Sequence, residues 1–299
     1  MKYDAIIIGC GPAGMTAALY LLRSNKKVLI LEKETIGGAI ASSPLVENYP
    51  GFESISGAEL SSKMFDQIDR LGVEFELEEV TKINIIDGIK EVVTEENTYT
   101  ADVVIIASGS KYRMVGLENE ADLIGKGIHF CVSCDGAFYN DRTVAVYGGA
   151  NSAIINAISL AENCSKVYLI YHGDKLKGEK KLIEQVTNTK NIEVLYNSTI
   201  TKYNGDDHLT SIEINNKDNI RLAAVFLSIG LIPQNSFAED LEILDGKGYV
   251  LSDDTTTKFP GIFVAGDARS KKYKQVTIAT ADGTVAAMDA ITYLDTKGE

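Results

Sequence analysis

The chain reads as an α/β protein of two parallel-sheet units, the second inserted into the first. Three observations predict this. A strand, a glycine turn, a helix and a second strand open the chain; a degraded copy of that unit begins near residue 143; and an apolar strand suited to the first sheet returns at Gly261–Ala265, after the copy has ended. A length of 299 residues is enough for about two domains.

The first unit is complete. Residues 4–14 read DAIIIGCGPAG, an apolar strand followed by Gly9, Gly11 and Gly14 in G-x-G-x-x-G spacing. A helical stretch (Met15 to Leu22) and a second apolar strand (Lys27 to Leu31) lead to Glu32. Gly9 permits the tight turn, Gly11 lets backbone approach a pyrophosphate, and Gly14 lets the helix pack closely on the strand. The phosphates would sit at the helix N-terminus, where unpaired N–H groups and the dipole favour an anion. Glu32 stands where it can accept hydrogen bonds from ribose hydroxyls.

The second unit is eroded. Residues 143–153 read TVAVYGGANSA, and KVYLIY (Lys166 to Tyr171) forms the next strand. A shift of 139 places Gly9 on Gly148, Gly11 on Ala150, Gly14 on Ala153 and Glu32 on Tyr171. A methyl group thus stands where backbone should approach phosphate, and no carboxylate stands at the ribose position. The expected fold is therefore two Rossmann-like dinucleotide-binding domains, the second inserted into the first, with residues 1–112 and 241–299 forming one and residues 113–240 the other. Strands are expected at Ile83–Ile86, Glu91–Thr94 and Val103–Ala107 in the first domain, and at Ile192–Tyr196, Leu209–Ile214 and Ala223–Ile229 in the second. A last helix is expected from about Ala279 to Leu294.

Composition narrows the partners. A net charge of −13 argues against nucleic acid and anionic membrane, both polyanions. The longest apolar runs are strand-length, and the first nucleotide motif begins by residue 5, so no leader is expected and the compartment is read as the cytoplasm. Four cysteines are too few for a disulfide scaffold. The close pair, Cys131-Val-Ser-Cys134, is followed directly by Asp135 and can close and reopen a short disulfide ring. Zinc is the rival reading, but His129, His172 and His208 have no ligand spacing to the pair, and no metal is expected.

These motifs together resemble the low-molecular-weight thioredoxin reductases, a class II pyridine nucleotide-disulfide oxidoreductase-like family. The resemblance runs end to end: GCGPAG at 9–14, Gly37-Gly38, Val46 to Gly51, CxxCDG at 131–136, and Ala265 to Val276. It implies an FAD domain split around an inserted nicotinamide-type domain, a homodimer, and electron flow from flavin to the disulfide to thioredoxin. It further implies Cys134 beside the flavin, Cys131 attacking thioredoxin, and Asp135 as the acid for the leaving thiolate. FAD would be held by Gly11, Pro12, Ala13 and Gly14 at its phosphates and by Glu32 and Lys33 at the adenosine ribose. Gly38, Ala39 and Asn48 would lie along the flavin, Val80 near the adenine, and Gly109 at a close backbone approach. Asp267 would meet the ribityl chain, with Lys274, Gln275 and Val276 at the isoalloxazine edge.

The departures point to the electron donor. NADPH-using members carry a His-Arg-Arg triplet where this chain has Tyr171, His172 and Gly173, and a further Arg where it has Lys177. Arg's fixed fork for phosphate is gone, and Lys does not replace it. This combination resembles the ferredoxin-dependent flavin thioredoxin reductases, in which reduced ferredoxin feeds the flavin. The run Arg269, Lys271, Lys272, Lys274 is expected to form the basic patch on which an acidic ferredoxin docks, with Lys175, Lys177, Lys180 and Lys181 as a competing cluster. An NAD(P)H-driven reductase with an atypical pocket, a flavin-dependent dithiol oxidase and a flavin-binding redox sensor remain as alternatives.

Overall fold

A computed structural model of the chain describes residues 2–297. The chain divides into two compact units, Met1–Lys111 with Ile232–Glu299, and Tyr112–Leu231.

The first unit begins with β1 (Lys2–Ile8), α1 (Pro12–Arg23) and β2 (Val28–Glu32), then α2 (Gly57–Asp69), β3 (Glu74–Leu77) and the meander β4 (Val80–Ile86), β5 (Ile89–Thr94), β6 (Thr98–Ile106). Strands β3, β2, β1 and β6 are parallel neighbours in that order. Near-continuous apolar runs suit strands covered on both faces. Side chains alternate across the sheet. Ile6, Ile8, Leu29, Leu31, Val104 and Ile106 face a core shared with the meander, while Ala5, Ile7, Val28, Ile30, Val103 and Ile105 face α1 and the last helix.

The second unit follows β7 (Ser110–Tyr112). It comprises β8 (Ile128–His129), α3 (Val132–Asp135), β9 (Thr143–Tyr147), α4 (Asn151–Ala161), β10 (Lys166–Ile170), α5 (Lys180–Asn188) and β11 (Ile192–Leu195). A small antiparallel sheet, β12 (Ile200–Asn204), β13 (Ser211–Ile214) and β14 (Asp218–Arg221), precedes β15 (Ala224–Leu227). The order β11-β10-β9-β15-β8 is parallel throughout. Val144 and Val146 face α4 and α5; Ala145 and Tyr147 face Tyr203, Ile212 and Ile214 of the small sheet.

The chain returns through β16 (Leu231–Pro233), which pairs with β7. It adds β17 (Ile262–Val264) beside β6 and ends in α6 (Val276–Thr296). The return comes earlier than position 241. The 3-10 turn Ser236–Leu241 sends Phe237, Ala238 and Leu241 into the core with Val80 and Ile83, so it belongs to the first unit. The three strands expected as one set after Ile192 are also divided differently. Ile192–Leu195 and Ala224–Leu227 lie in the parallel sheet, and Ser211–Ile214 is the centre of the small one. No helix among the described residues is long and apolar enough to cross a membrane.

The two units fold their openings alike. Gly9 N–H donates to Leu31 O at 2.8 Å, and Gly148 N–H to Ile170 O at 2.9 Å. Gly9 (φ +108°) and Gly148 (φ +149°) each lie against the carbonyl that ends a neighbouring strand, Ala107 and Ser228 respectively, where a Cβ would collide.

Lys90, on β5, is 1% exposed. Its Nζ donates to Gly88 O at 3.2 Å and lies 5.0 Å from the centre of the Tyr293 ring. Burial, with Lys297 nearby, pushes its pKa down from 10.5 to about 8, against the attraction of Asp102. Because the folded value lies below the unfolded one, the cost of holding this charge is fully present below about pH 8 and is relieved as pH rises toward 10.5. Lys90→Met is therefore expected to raise stability at pH 7 by on the order of 1–3 kcal/mol. Urea unfolding at pH 7 and at alkaline pH checks this: the gain should shrink at the higher pH, and an equal gain at both would refute the assignment.

Candidate active site

In the first unit the glycine turn is held by a carboxylate. Cys10 N–H donates to Glu32 Oε2 at 2.8 Å and Glu34 N–H to Oε1 at 2.9 Å, so the residue at the end of β2 also shapes the loop. Gly11 caps α1, with Pro12 in its first turn, where a missing N–H costs nothing. A Cβ on Gly11 would find its nearest neighbour, Gly37 O, 3.9 Å away, so the α1 N-terminus is open there. Gly14 is different: a Cβ would strike the Gly9 carbonyl, which sets how closely α1 packs on its strand.

Several of the other candidates gather here. Gly38 lies against Gly11, with its Cβ position 3.5 Å from the Gly11 Cα, and Ala39 follows in an exposed 3-10 turn. Gly266 adjoins Ala13, which brings Asp267 to the first turn of α1. Asn48 Nδ2 donates to Gln275 Oε1 at 3.4 Å, and Gln275 caps α6 ahead of Val276. Lys274 Nζ donates to Asp267 O at 3.2 Å. Lys33 is held by Glu79 and Gln234. Val80 is buried in the meander core, so it has backbone rather than side chain to offer a ligand. Gly109 (φ +69°) follows β6, and its carbonyl accepts from Gln234 N–H at 3.1 Å.

This cradle fits FAD. Asp267 Oδ1 is buried without a hydrogen-bond partner, and burial raises the pKa of the carboxyl against the pull of Lys274 and Lys271. A buried acceptor in this state calls for a donor such as a ligand hydroxyl. The open helix N-terminus at Gly11 supplies the complementary place for phosphate.

The second loop keeps the backbone path and loses the chemistry. Ala150 caps α4 with φ −96° and ψ 178°, close to the −81° and −178° of Gly11. Tyr171, at the position of Glu32, turns its ring onto the loop: a Cβ on Gly149 or on Gly173 would meet ring carbons. The ring is part of the core with Val144 and Ala153. Glu179, not singled out in the sequence, reaches the first residue of α4: Asn151 Nδ2 donates to its Oε1 at 3.2 Å, and its own N–H donates to Asn151 Oδ1 at 2.8 Å. A carboxylate thus stands beside the helix N-terminus at which a phosphate would bind.

The cysteine pair opens the one-turn helix α3. Cys131 and Cys134 are joined as a disulfide, with Cα atoms 5.3 Å apart. Cys131 is half-buried and Cys134 exposed. Asp135 N–H donates back to Cys131 O at 3.0 Å, closing the turn that carries the pair. Its Oδ2 lies 3.1 Å from Nδ1 of the buried His129, whose Nε2 lies 2.6 Å from Tyr139 Oη. The free thiols Cys10 and Cys164 are buried; burial and Glu32 push Cys10 up to about 12.

The basic run at 269–274 is not the open patch expected. Arg269 pairs with Asp254 at 3.0 Å, and Lys271 is buried against Asp282 at 2.7 Å. Lys274 is half-buried, and burial lowers its pKa. Of the four cations, Lys272 alone is fully exposed. Asp254 is distant in sequence from the run and Asp282 lies within a helix, and together with the adjacent Asp267 they fold the run inward.

The comparisons with known proteins cover nearly all of the chain. The family described as pyridine nucleotide-disulphide oxidoreductase matches residues 3–283. The thioredoxin reductase of Bacillus subtilis (strain 168) is 37% identical over 302 residues, covering 98% of this chain and 95% of the relative. A protein of Clostridium pasteurianum described as a 34.2 kDa protein in rubredoxin operon is 36% identical over 303 residues, covering 99% and 98%. The crystal structure of thioredoxin reductase from Streptococcus pyogenes superposes with a TM-score of 0.94 at 37% identity, over 99% of each chain. With the glycine cradle, the orphaned Asp267 and the CxxCD helix in place, the chain belongs to the low-molecular-weight thioredoxin reductase family, whose cofactor is FAD.

Proposed function

We propose that the protein is a thioredoxin reductase whose flavin is reduced by a ferredoxin and not by NADPH or NADH. The observation that carries this reading is the Tyr171 ring lying on Gly149 and Gly173, where a ribose ligand would otherwise stand. Ala150 at the close-approach position and the Glu179 carboxylate beside α4 act in the same direction. Like charges at a helix N-terminus disfavour a bound phosphate. The rubredoxin operon named for the Clostridium pasteurianum relative associates that protein with a one-electron carrier.

In this reading the unit Met1–Lys111 with Ile232–Glu299 holds FAD through Gly11 to Gly14, Glu32 and Asp267, and the unit Tyr112–Leu231 carries the dithiol. FAD, when bound, takes up electrons singly and passes them on as a pair to a disulfide. The chain's own part is to hold the two sulfurs at one end of α3, to present the attacking thiol, and to move protons through Asp135. Cys131 attacks thioredoxin, and Cys134 resolves the mixed disulfide.

Two outcomes test this. Under anaerobic conditions reduced ferredoxin should bleach the flavin absorbance, while NADPH and NADH act roughly hundredfold more slowly or not at all, since two lost charge-assisted contacts cost about 3 kcal/mol. Fast bleaching by NADPH would overturn the donor assignment, and steady oxygen uptake with a small dithiol would identify an oxidase. Cys134→Ser, incubated with a thioredoxin that lacks its resolving cysteine and carries its remaining cysteine as a disulfide with thionitrobenzoate, should expel thionitrobenzoate and accumulate a mixed disulfide on non-reducing gels, and Cys131→Ser should not. The reverse pattern would exchange the two roles.

A further inference from the structure

We propose that His129, locked by Tyr139, is the positioning and proton-storing partner of Asp135 in dithiol–disulfide exchange. The inference rests on the thioredoxin reductase reading and adds to it residues that no sequence motif marked. His129 ends β8, two residues before Cys131, and is 6% exposed. Its ring stacks on Phe226 of β15 at 5.4 Å and meets the Tyr139 ring edge-on at 5.3 Å. Both ring nitrogens are engaged, Nδ1 by Asp135 at 3.1 Å and Nε2 by the Tyr139 hydroxyl at 2.6 Å. A buried imidazole could be satisfied by one carbonyl; this one forms a continuous chain from a half-buried carboxyl to a phenol.

The direction of the chain follows from its ends. Burial and the adjacent Asp135 push the Tyr139 hydroxyl up to about 12, against Arg142, so it keeps its proton at neutral pH. As donor to Nε2 it leaves the neutral ring with its proton on Nδ1, facing Asp135. The groups around the ring are Asp135, Tyr139 and apolar Phe226; Arg142 acts on Tyr139, and the Cys164 thiol, itself influenced by Asp141, donates to Tyr139 O at 3.2 Å.

The chemistry needs such a store. When the Cys131 thiol attacks a disulfide, it gives its proton to the Asp135–His129 pair. The new sulfur–sulfur bond forms as the old one breaks, and the leaving sulfur takes the electron pair and then the stored proton. Cys134 closes the ring onto Cys131 in the same way, its proton passing to the second leaving sulfur. Two protons leave the dithiol and two reach the substrate, with no further reactant. A carboxylate alone holds a proton poorly near neutrality. Histidine is the side chain suited to charge changes between about pH 5 and 8.

The test uses holoenzyme reduced by dithiothreitol, desalted anaerobically and mixed with oxidised thioredoxin from pH 5 to 9, so the natural electron donor does not enter. His129→Asn keeps a donor toward Asp135 but cannot titrate. It should slow the exchange by about tenfold to hundredfold at pH 7 and remove an inflection present in the wild type. Tyr139→Phe, which removes one oxygen, should keep that inflection but displace it. Iodoacetamide alkylation of reduced Cys131 over the same pH range should show the same changes without thioredoxin. Wild-type rates and pH profiles in both variants, with flavin retained, would overturn the proposal. If His129→Asn loses flavin or fails to fold, Tyr139→Phe alone decides. If the wild type does not reduce thioredoxin at all, the functional reading fails, and the alkylation profiles still decide on His129.

Discussion

The hydrogen bond from the Cys10 amide to the Glu32 carboxylate links the end of one strand to the glycine loop at the end of its neighbour. Backbone N–H groups in such a turn must be satisfied or left open to a ligand. Here one is taken by a side chain, and those at the start of α1 face open space. The carboxylate that ends β2 thereby helps to set the shape of the loop. The same strand-end position in the second unit is Tyr171, which satisfies no amide and covers the loop with an aromatic face. One substitution type at one position turns a receptive loop into a packed one, on a backbone path that hardly changes.

Electrostatics in the fold depend on pairing more than on counting. The chain's four clustered cations after Asp267 are read from sequence as a surface run, yet Asp254 and Asp282 hold Arg269 and Lys271. Lys271, with its side chain 8% exposed, meets Asp282 at 2.7 Å and Asp267 at 3.8 Å, which makes it part of the cradle's wall. Partly buried pairs of this kind position groups more than they stabilise. The run's proximity to Asp267 was legible; its inward direction was not, because Asp282 lies on a helix eleven residues later.

Much of the fold could be read from residues. The tandem openings, the returning strand at Ile262–Val264 and the CxxCD turn are local patterns with strong period or spacing, and the structure has all three. The strands β12 and β14 were missed because only their inward residues are apolar, as in ITKYN and DNIR. The helix α2 had a signal, Ser56 with Glu59 three residues on; Ser56 Oγ accepts from the Glu59 amide at 3.1 Å. The last helix starts at Val276, ahead of Ala279; the β-branched Val276-Thr-Ile has little helix preference, so this first turn leaves no local signal. His129 and Glu179 could not be found by pattern. Each matters through a partner brought near by folding, Tyr139 across a turn and Asn151 from another element.

The two remaining cysteines give the molecule a division of labour among its sulfurs. Cys10 lies within the glycine loop, wholly buried and held as a neutral thiol by burial and the Glu32 charge. Cys164 is buried beneath the dithiol unit and spends its hydrogen on the Tyr139 carbonyl. Thiolate, not thiol, is the nucleophile in exchange. Two of the four cysteines are therefore kept out of thiol–disulfide exchange, which leaves the exchanging chemistry to Cys131 and Cys134.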